Sequence, residues 1–179
     1  APLSREMILR RVGVIENEIK EPFLVSGKDG ISLRGEISAA QREIRKGRDA
    51  ISRIVINRDL AGILDGIDGY SHLVVLYWAH AVPAESRLLL KVHPMGRKEF
   101  PLVGIFSTRS PARPNPVLMT VVRLCGRDGN ILTVSGLDAV DQSPVIDIKP
   151  YVADFYPRES VRIPEWMERI QKEHAEVER

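Results

Sequence analysis

The sequence predicts a mainly β protein: an antiparallel β-barrel with short helices and a C-terminal helix. Three observations predict it. About seven to eight short apolar runs, rich in β-branched residues, follow one another closely with turn signals between them. Few segments show helical periodicity, so the strand–helix alternation of a parallel α/β sheet is missing. No G-x-G-x-x-G opens a helix after a strand, which leaves a dinucleotide site of the Rossmann type without support.

The elements follow in order. Arg11–Ile15 is a short strand, and Lys20–Gly30, with Pro22, Gly27 and Gly30, reads as loop. Ser38–Arg48 reads as a short helix capped by Ser38 and carries Arg42, Arg45, Lys46 and Arg48; it is either a solvated excursion or an arm that contacts phosphates. Ser52–Asn57 is a strand and Arg58–Leu64 one or two helical turns. His72–Ala79 (H-L-V-V-L-Y-W-A) is short, apolar and bounded by turn signals, so it is a buried strand. Ser86–Val92 and Leu102–Phe106 are strands flanking a loop at His93–Pro101. Val117–Leu124 and Ile131–Gly136 are strands joined by the turn R-D-G-N, and the last apolar stretch ends at Asp147–Tyr151. Pro164 then opens a helix with Glu165 and Glu168 near its N-terminus, where the dipole favours them. Ile163, Met167, Ile170, His174 and Val177 fall on one stripe, which packs on the barrel or on a partner subunit.

The totals bound the function classes. A chain of 179 residues fits one domain that buries a core without disulfides or metals. The single cysteine, Cys125, sits in an apolar run and reads as a buried small hydrophobe; a lone cysteine suits a reducing cytoplasm. Lys and Arg number 26 against 24 Asp and Glu, a balance that does not announce nucleic acid by itself. No apolar run reaches the ~20 residues of a membrane span, and no secretory leader is recognisable. His72, His80, His93 and His174 lack metal-ligand spacing, so no metal site is expected.

Two stretches carry candidate chemistry. In Gly104–Val117 (G-I-F-S-T-R-S-P-A-R-P-N-P-V), Pro111, Pro114 and Pro116 stiffen a loop that presents Arg109 and Arg113. Each proline pushes its predecessor toward extended backbone, so Ala112, Arg113 and Asn115 are not helical. The loop is expected to join two strands of one sheet and to aim guanidinium forks at an anionic or polar ligand. In Asp138–Lys149 (D-A-V-D-Q-S-P-V-I-D-I-K), Asp138, Asp141 and Asp147 either accept hydrogen bonds from a ligand or serve turns and salt bridges, with Arg109 or Arg113 as available partners. His80, at the end of the most apolar strand, is either a structural histidine or a site residue.

These two stretches, with L-D-G-I-D-G-Y-S-H-L-V-V-L-Y-W-A-H at Leu64–His80, resemble the TsaA-like family over residues 8–155. That family includes tRNA (adenine-37) N6-methyltransferases of the TrmO type, also known as YaeB. The resemblance implies a β-barrel domain over residues 8–155, which here carries a basic insertion at about 28–50, and the helix read from the residue pattern makes 156–179 a C-terminal helical extension. It implies S-adenosylmethionine as methyl donor, tRNA as partner, a cytoplasmic location, and a homodimer with the donor near the subunit interface. The reaction implied is methyl transfer to N6 of threonylcarbamoyladenosine at position 37. Donor-binding positions carried over by motif are His80, Arg109, Met119, Asp138, Asp141, Gln142, Ser143 and Pro144. Arg113 and Asn115 would face the RNA or brace the loop, and Arg42, Arg45, Lys46 and Arg48, with Lys91, Arg97 and Lys98, would meet its phosphates. Leu118 and Gln142 stand where the family carries glycine, and the family's N-terminal P-R-Q segment is not recognisable.

Those departures keep other functions open. One is methyl transfer from the same donor to another small molecule or a protein. Another is a module that binds the ligand without turnover. P-A-R-P could also be read as a ligand for an SH3-type partner, but it lies between two apolar strands and not in a disordered tail.

Overall fold

A computed structural model describes residues 7–22, 24–27, 30–33 and 50–177. Its main strands are β1 (Gly13–Glu16), β4 (Ile51–Ile56), β5 (His72–Trp78), β8 (Val117–Asp128), β9 (Ile131–Ser135) and β10 (Pro144–Pro150). These six close an antiparallel barrel in the order β1-β10-β5-β8-β9-β4. Closure comes from β1, which pairs Gly13 with both Ile56 of β4 and Val145 of β10. Closing the sheet removes its edges, the aggregation-prone feature of an open one.

Period-2 alternation fills the interior. Leu73, Val75 and Tyr77 of β5 point in and are almost wholly buried, as are Ile54 and Ile56 of β4 and Leu132 and Val134 of β9. Ile15, Val122, Leu137 and Val145 complete the core. Each such aliphatic side chain contributes roughly 1.5–3 kcal/mol by leaving water. Gly13 is required by proximity: a Cβ there would lie 2.4 Å from the carbonyl oxygen of Val55.

Two small sheets sit outside the barrel. One is a hairpin of β2 (Leu24–Gly27) and β3 (Gly30–Leu33), in a stretch whose first part reads as loop in the sequence. The glycines that suggest loop punctuation there instead belong to the strands: Gly27 closes β2, Gly30 opens β3, and the two are paired. The other sheet pairs β6 (Lys91–Val92) with β7 (Val103–Gly104). Here the predicted strands shrink. Ser86–Val92 becomes a 3-10 turn at Glu85–Leu88 and two strand residues, and Ile105–Ser107 becomes a 3-10 turn. The Arg/Pro loop therefore does not join two strands of one sheet; it runs from the small sheet to β8 of the barrel. Cys125 is exposed, not buried. Val122 and Leu124 point inward, so alternation turns Cys125 out, and the register of β8 against β9 shifts between Leu124 and Gly126.

The C-terminal helix α1 spans Glu165–Val177. It is fixed through the 94–100 segment. Arg97, only 8% exposed, holds Glu173 with Nη1 at 2.5 Å and Nη2 at 3.2 Å, and its Nε reaches Glu99 at 2.6 Å. The Trp166 and Phe100 rings lie 6.4 Å apart, and the guanidinium of Arg97 stands 4.4 Å from the Phe100 centroid. Arg97, expected from the sequence to meet phosphates, is thus enclosed by carboxylates. Lys91 and Lys98 remain exposed. The predicted basic helix with Arg42, Arg45, Lys46 and Arg48 lies outside the described residues.

Candidate functional site

A cavity of about 590 Å³ opens where the end of β5, the start of β8 and the Arg/Pro loop meet the segment before β10. That volume lies within the range of small-molecule sites. Four of the sequence-predicted residues line it: His80, Arg109, Asp138 and Ser143. Met119, Asp141, Gln142, Pro144, Arg113 and Asn115 are not among its lining residues.

The Arg/Pro loop is held by its own side chains. Thr108 donates to the Ile105 carbonyl and accepts from the Ser110 amide at 3.2 Å; the Ser110 hydroxyl in turn accepts from the Ala112 amide. Arg113 donates from Nε to the Ser110 carbonyl at 2.7 Å and from Nη2 to the Thr108 carbonyl at 2.6 Å. It braces the loop. Burial, and secondarily the charge of Arg109, lowers its pKa below the usual guanidinium value. Asn115 is exposed, and its carbonyl accepts from the Val117 amide at 2.7 Å. Among the described residues Arg109 makes one anchoring bond, Nη2 to the Met119 carbonyl at 2.7 Å, and the rest of its fork is available at the cavity. Met119 thus enters through its backbone, while its residue is 40% exposed.

Asp138 is the carboxylate at the cavity. Tyr77 Oη donates to its Oδ1 at 2.8 Å and Thr120 Oγ1 donates to the same oxygen at 2.6 Å, so Oδ2 stays open among the described residues. Burial, then the Asp138 charge, raises the Tyr77 pKa, so the phenol keeps its proton and remains a donor. Ser143 Oγ donates to the Val140 carbonyl at 2.6 Å and lies 3.3 Å from His80 Nδ1. The serine has one proton, already committed to Val140. The arrangement that satisfies both groups has His80 donating from Nδ1 to the serine oxygen, the tautomer in which Nε2 is an acceptor.

Asp141 serves the frame. Its Oδ2 meets Lys20 Nζ at 2.6 Å and its Oδ1 accepts from the Asn17 amide at 2.9 Å. The Lys20 contact, followed by the Asn17 amide, holds its pKa down at about 2. The ion-pair partner is Lys20, and not Arg109 or Arg113. Asn17 adds bonds from Nδ2 to Ser52 Oγ and the Ala139 carbonyl, tying the exit of β1 to the 138–143 segment. Gln142 adopts φ 65°, the left-handed conformation that glycine takes freely, and donates its amide to the Ile15 carbonyl.

Sequence reasoning does not single out several lining residues. Tyr77 of the lining, and Thr120 behind it, are hidden within strands, where nothing local marks a polar side chain as converging on a carboxylate 18 or more positions away. Leu118, conspicuous in the sequence only as a replacement for glycine, lines the cavity. So do Lys20 and Pro22, and so do Trp166, Met167, Ile170 and His174 of α1. Trp166 falls outside the predicted stripe; its i, i+4 relation to Ile170 is the available signal.

Comparison with known proteins gives this geometry its family. The model of the tRNA-methyltransferase O N-terminal domain matches residues 38–156. An S-adenosyl-L-methionine-binding protein of Archaeoglobus fulgidus is 39% identical over 145 residues, covering 81% of this chain and 89% of that protein. The tRNA (adenine(37)-N6)-methyltransferase of Escherichia coli is 32% identical over 146 residues, 79% of this chain and 56% of the enzyme. The crystal structure of TrmO from Pseudomonas aeruginosa superimposes with a TM-score of 0.62 at 25% identity, covering 88% of this chain and 61% of that one. The chain thus spans little more than half the length of the bacterial enzymes it matches. With the family model matching two thirds of the chain and the barrel shared with the solved structure, the chain belongs to the tRNA-methyltransferase O N-terminal domain family.

Proposed function

We propose that this protein is an S-adenosylmethionine-dependent methyltransferase that acts on N6 of adenosine 37 in tRNA, with the threonylcarbamoyl-modified base as substrate. Membership of the family supports the donor and the substrate class. The observation that carries the reading is the convergence of Arg109, Asp138, His80 and Ser143, drawn from three separate stretches of sequence, on one cavity of ligand size.

The donor set fits the cofactor chemically. The open fork of Arg109 matches a carboxylate, and the open Oδ2 of Asp138 matches a ribose hydroxyl or an ammonium group. Bound there, the cofactor supplies an electrophilic methyl group on a sulfonium. Tyr77 and Thr120 fix the Asp138 carboxylate, so it needs no reorientation when the ligand arrives. The protein's main contribution is placement, because a displacement at carbon depends on aligned approach at about 3 Å. N6 is a weak nucleophile, since its lone pair conjugates with the ring; His80 Nε2 offers an acceptor for the proton it releases. Asp141, Gln142 and Pro144 act indirectly in this scheme, by shaping the segment that carries Asp138 and Ser143. Arg42, Arg45, Lys46 and Arg48 are the proposed phosphate contacts, and a homodimer in the cytoplasm is the expected setting.

Incubation with donor and total tRNA, followed by mass spectrometry of the nucleosides, tests the reading. It expects a methyl group on N6 of threonylcarbamoyladenosine. Methylation of unmodified tRNA to the same extent would remove the threonylcarbamoyl requirement. Donor binding with no methylated nucleoside would favour transfer to another substrate, a reading motivated by Leu118, which lines the cavity where the family carries glycine.

A further inference from the structure

The cavity has two chemically different sides. Arg109, Asp138, His80 and Ser143 bring charged and hydrogen-bonding groups from the barrel and the loops at its end, and Lys20 and Glu21 add charge from the segment after β1. The contribution of α1 is mainly apolar, through Trp166, Met167 and Ile170, with His174 one turn further on. Spacings of three and four residues place these side chains on one face of the helix. Ile170 is buried, whereas Trp166 and Met167 keep partial exposure toward the cavity they line. The helix lies wholly beyond residues 38–156 that match the family domain. It is also not loosely laid on the surface. The two-pronged Arg97–Glu173 pair and the Phe100 ring against Trp166 set its position, and Phe100 is itself buried.

We propose that α1 is a wall of the binding site and that Trp166 stacks on the purine ring of an adenosine held in the cavity. This rests on the function proposed above. The argument is one of complementarity. An adenosine has a polar sugar edge and a flat, apolar-faced base, and the cavity offers hydrogen-bonding groups from the barrel and an indole from the helix. Stacking on an indole is tolerant of approach and needs only a ring positioned by a rigid element. The Arg97–Glu173 clamp supplies that rigidity, so Arg97 and Glu173 are positioning residues and Trp166 a binding residue. Both the methyl donor and the substrate nucleotide contain adenosine; the experiment distinguishes them.

The test uses the full chain with Trp166→Ala, Trp166→Phe, Glu173→Gln and, as a control on the exposed side of the helix, Lys172→Ala. S-adenosylmethionine affinity is measured by calorimetry, and KM and kcat on tRNA by methyl incorporation. If Trp166 stacks on the donor, Trp166→Ala weakens donor binding about tenfold or more, Trp166→Phe restores most of it, and KM for tRNA holds. If it stacks on the substrate base, the same pattern appears in KM for tRNA with donor affinity unchanged. Glu173→Gln reproduces the loss in weaker form, with faster hydrogen exchange confined to α1; Lys172→Ala changes neither. Unchanged donor affinity and unchanged KM in Trp166→Ala overturn the proposal. Should the wild-type protein bind no S-adenosylmethionine, the proposed function falls first. Adenosine titrated against wild type and Trp166→Ala then decides the wall on its own: a difference supports it and equality overturns it.

Discussion

Substitution of Tyr77 by Phe probes the hydrogen bond that a buried strand side chain gives to the carboxylate of the site. Tyr77 is 2% exposed, so Phe keeps the packing and removes only the hydroxyl. That hydroxyl donates at 2.8 Å to a carboxylate, and hydrogen bonds to charged groups contribute about 1.5–3 kcal/mol. Asp138 Oδ1 retains Thr120 at 2.6 Å and the aspartate opens to the cavity, so no buried charge is stranded. The loss should therefore sit at the lower end, about 1.5 kcal/mol, or roughly 3–6 °C in Tm for a chain of this length. Urea unfolding of Tyr77→Phe, Asp138→Asn and the double variant measures it. Because the two residues share one bond, the double variant should cost less than the sum of the singles by about 1 kcal/mol. Donor affinity should fall in Tyr77→Phe as well, since the carboxylate loses one of its two anchors. Strict additivity in the cycle, within about 0.3 kcal/mol, would refute the claim that Tyr77 holds Asp138.

Other perturbations have equally definite outcomes. Arg109→Ala should weaken donor binding about 10- to 100-fold by calorimetry, the loss of a charge-assisted bond; equal affinity would remove Arg109 from the site. Gln142→Gly should raise stability by up to about 1 kcal/mol by relieving the left-handed backbone, while Gln142→Ala should give no gain; urea midpoints decide. Gly13→Ala should lose about 1–3 kcal/mol or more, because its Cβ meets the Val55 carbonyl oxygen in the closing seam of the barrel. The Arg97 contact lowers the Glu173 pKa from the ordinary 4.5, so its stabilisation is complete above that pH and is lost as pH falls through the depressed value. Hydrogen-exchange protection of α1, corrected for the intrinsic pH dependence of amide exchange, should therefore fall in acid while that of β5 holds, and Glu173→Gln should abolish the difference in α1 protection between neutral and acid pH.

The barrel is legible in the sequence because its strands are local objects. His72–Trp78 announces itself by composition alone, and the Gly129–Asn130 turn by its residues. The small sheet is not, since β6 and β7 are two residues long and exist only through each other. Within the site, sequence motifs locate the right stretches and blur the individual roles. Asp138 and Asp141 are three positions apart and chemically identical, yet one faces the cavity and the other meets Lys20, 121 positions away. No local pattern carries that distinction. Cys125 misleads for a simpler reason: an apolar neighbourhood does not say which face of a strand a side chain takes. The contribution of Trp166 is equally hidden, because an amphipathic stripe predicts that a helix packs and not what it packs around.

The path of the chain between β1 and β4 has an evolutionary consequence. It departs after Glu16 and re-enters at Ile51 beside its point of departure, with Glu16 registered against Arg53. The intervening length can therefore vary at small entropic expense, about 0.6 kcal/mol for each doubling, without disturbing any barrel pairing. Lys20 and Pro22 on that excursion reach the cavity rim. Length changes between Pro22 and Ile51 can thus reshape the approach to the cavity while Asn17 and Lys20 keep their hold on the 138–143 segment and the barrel is inherited unchanged.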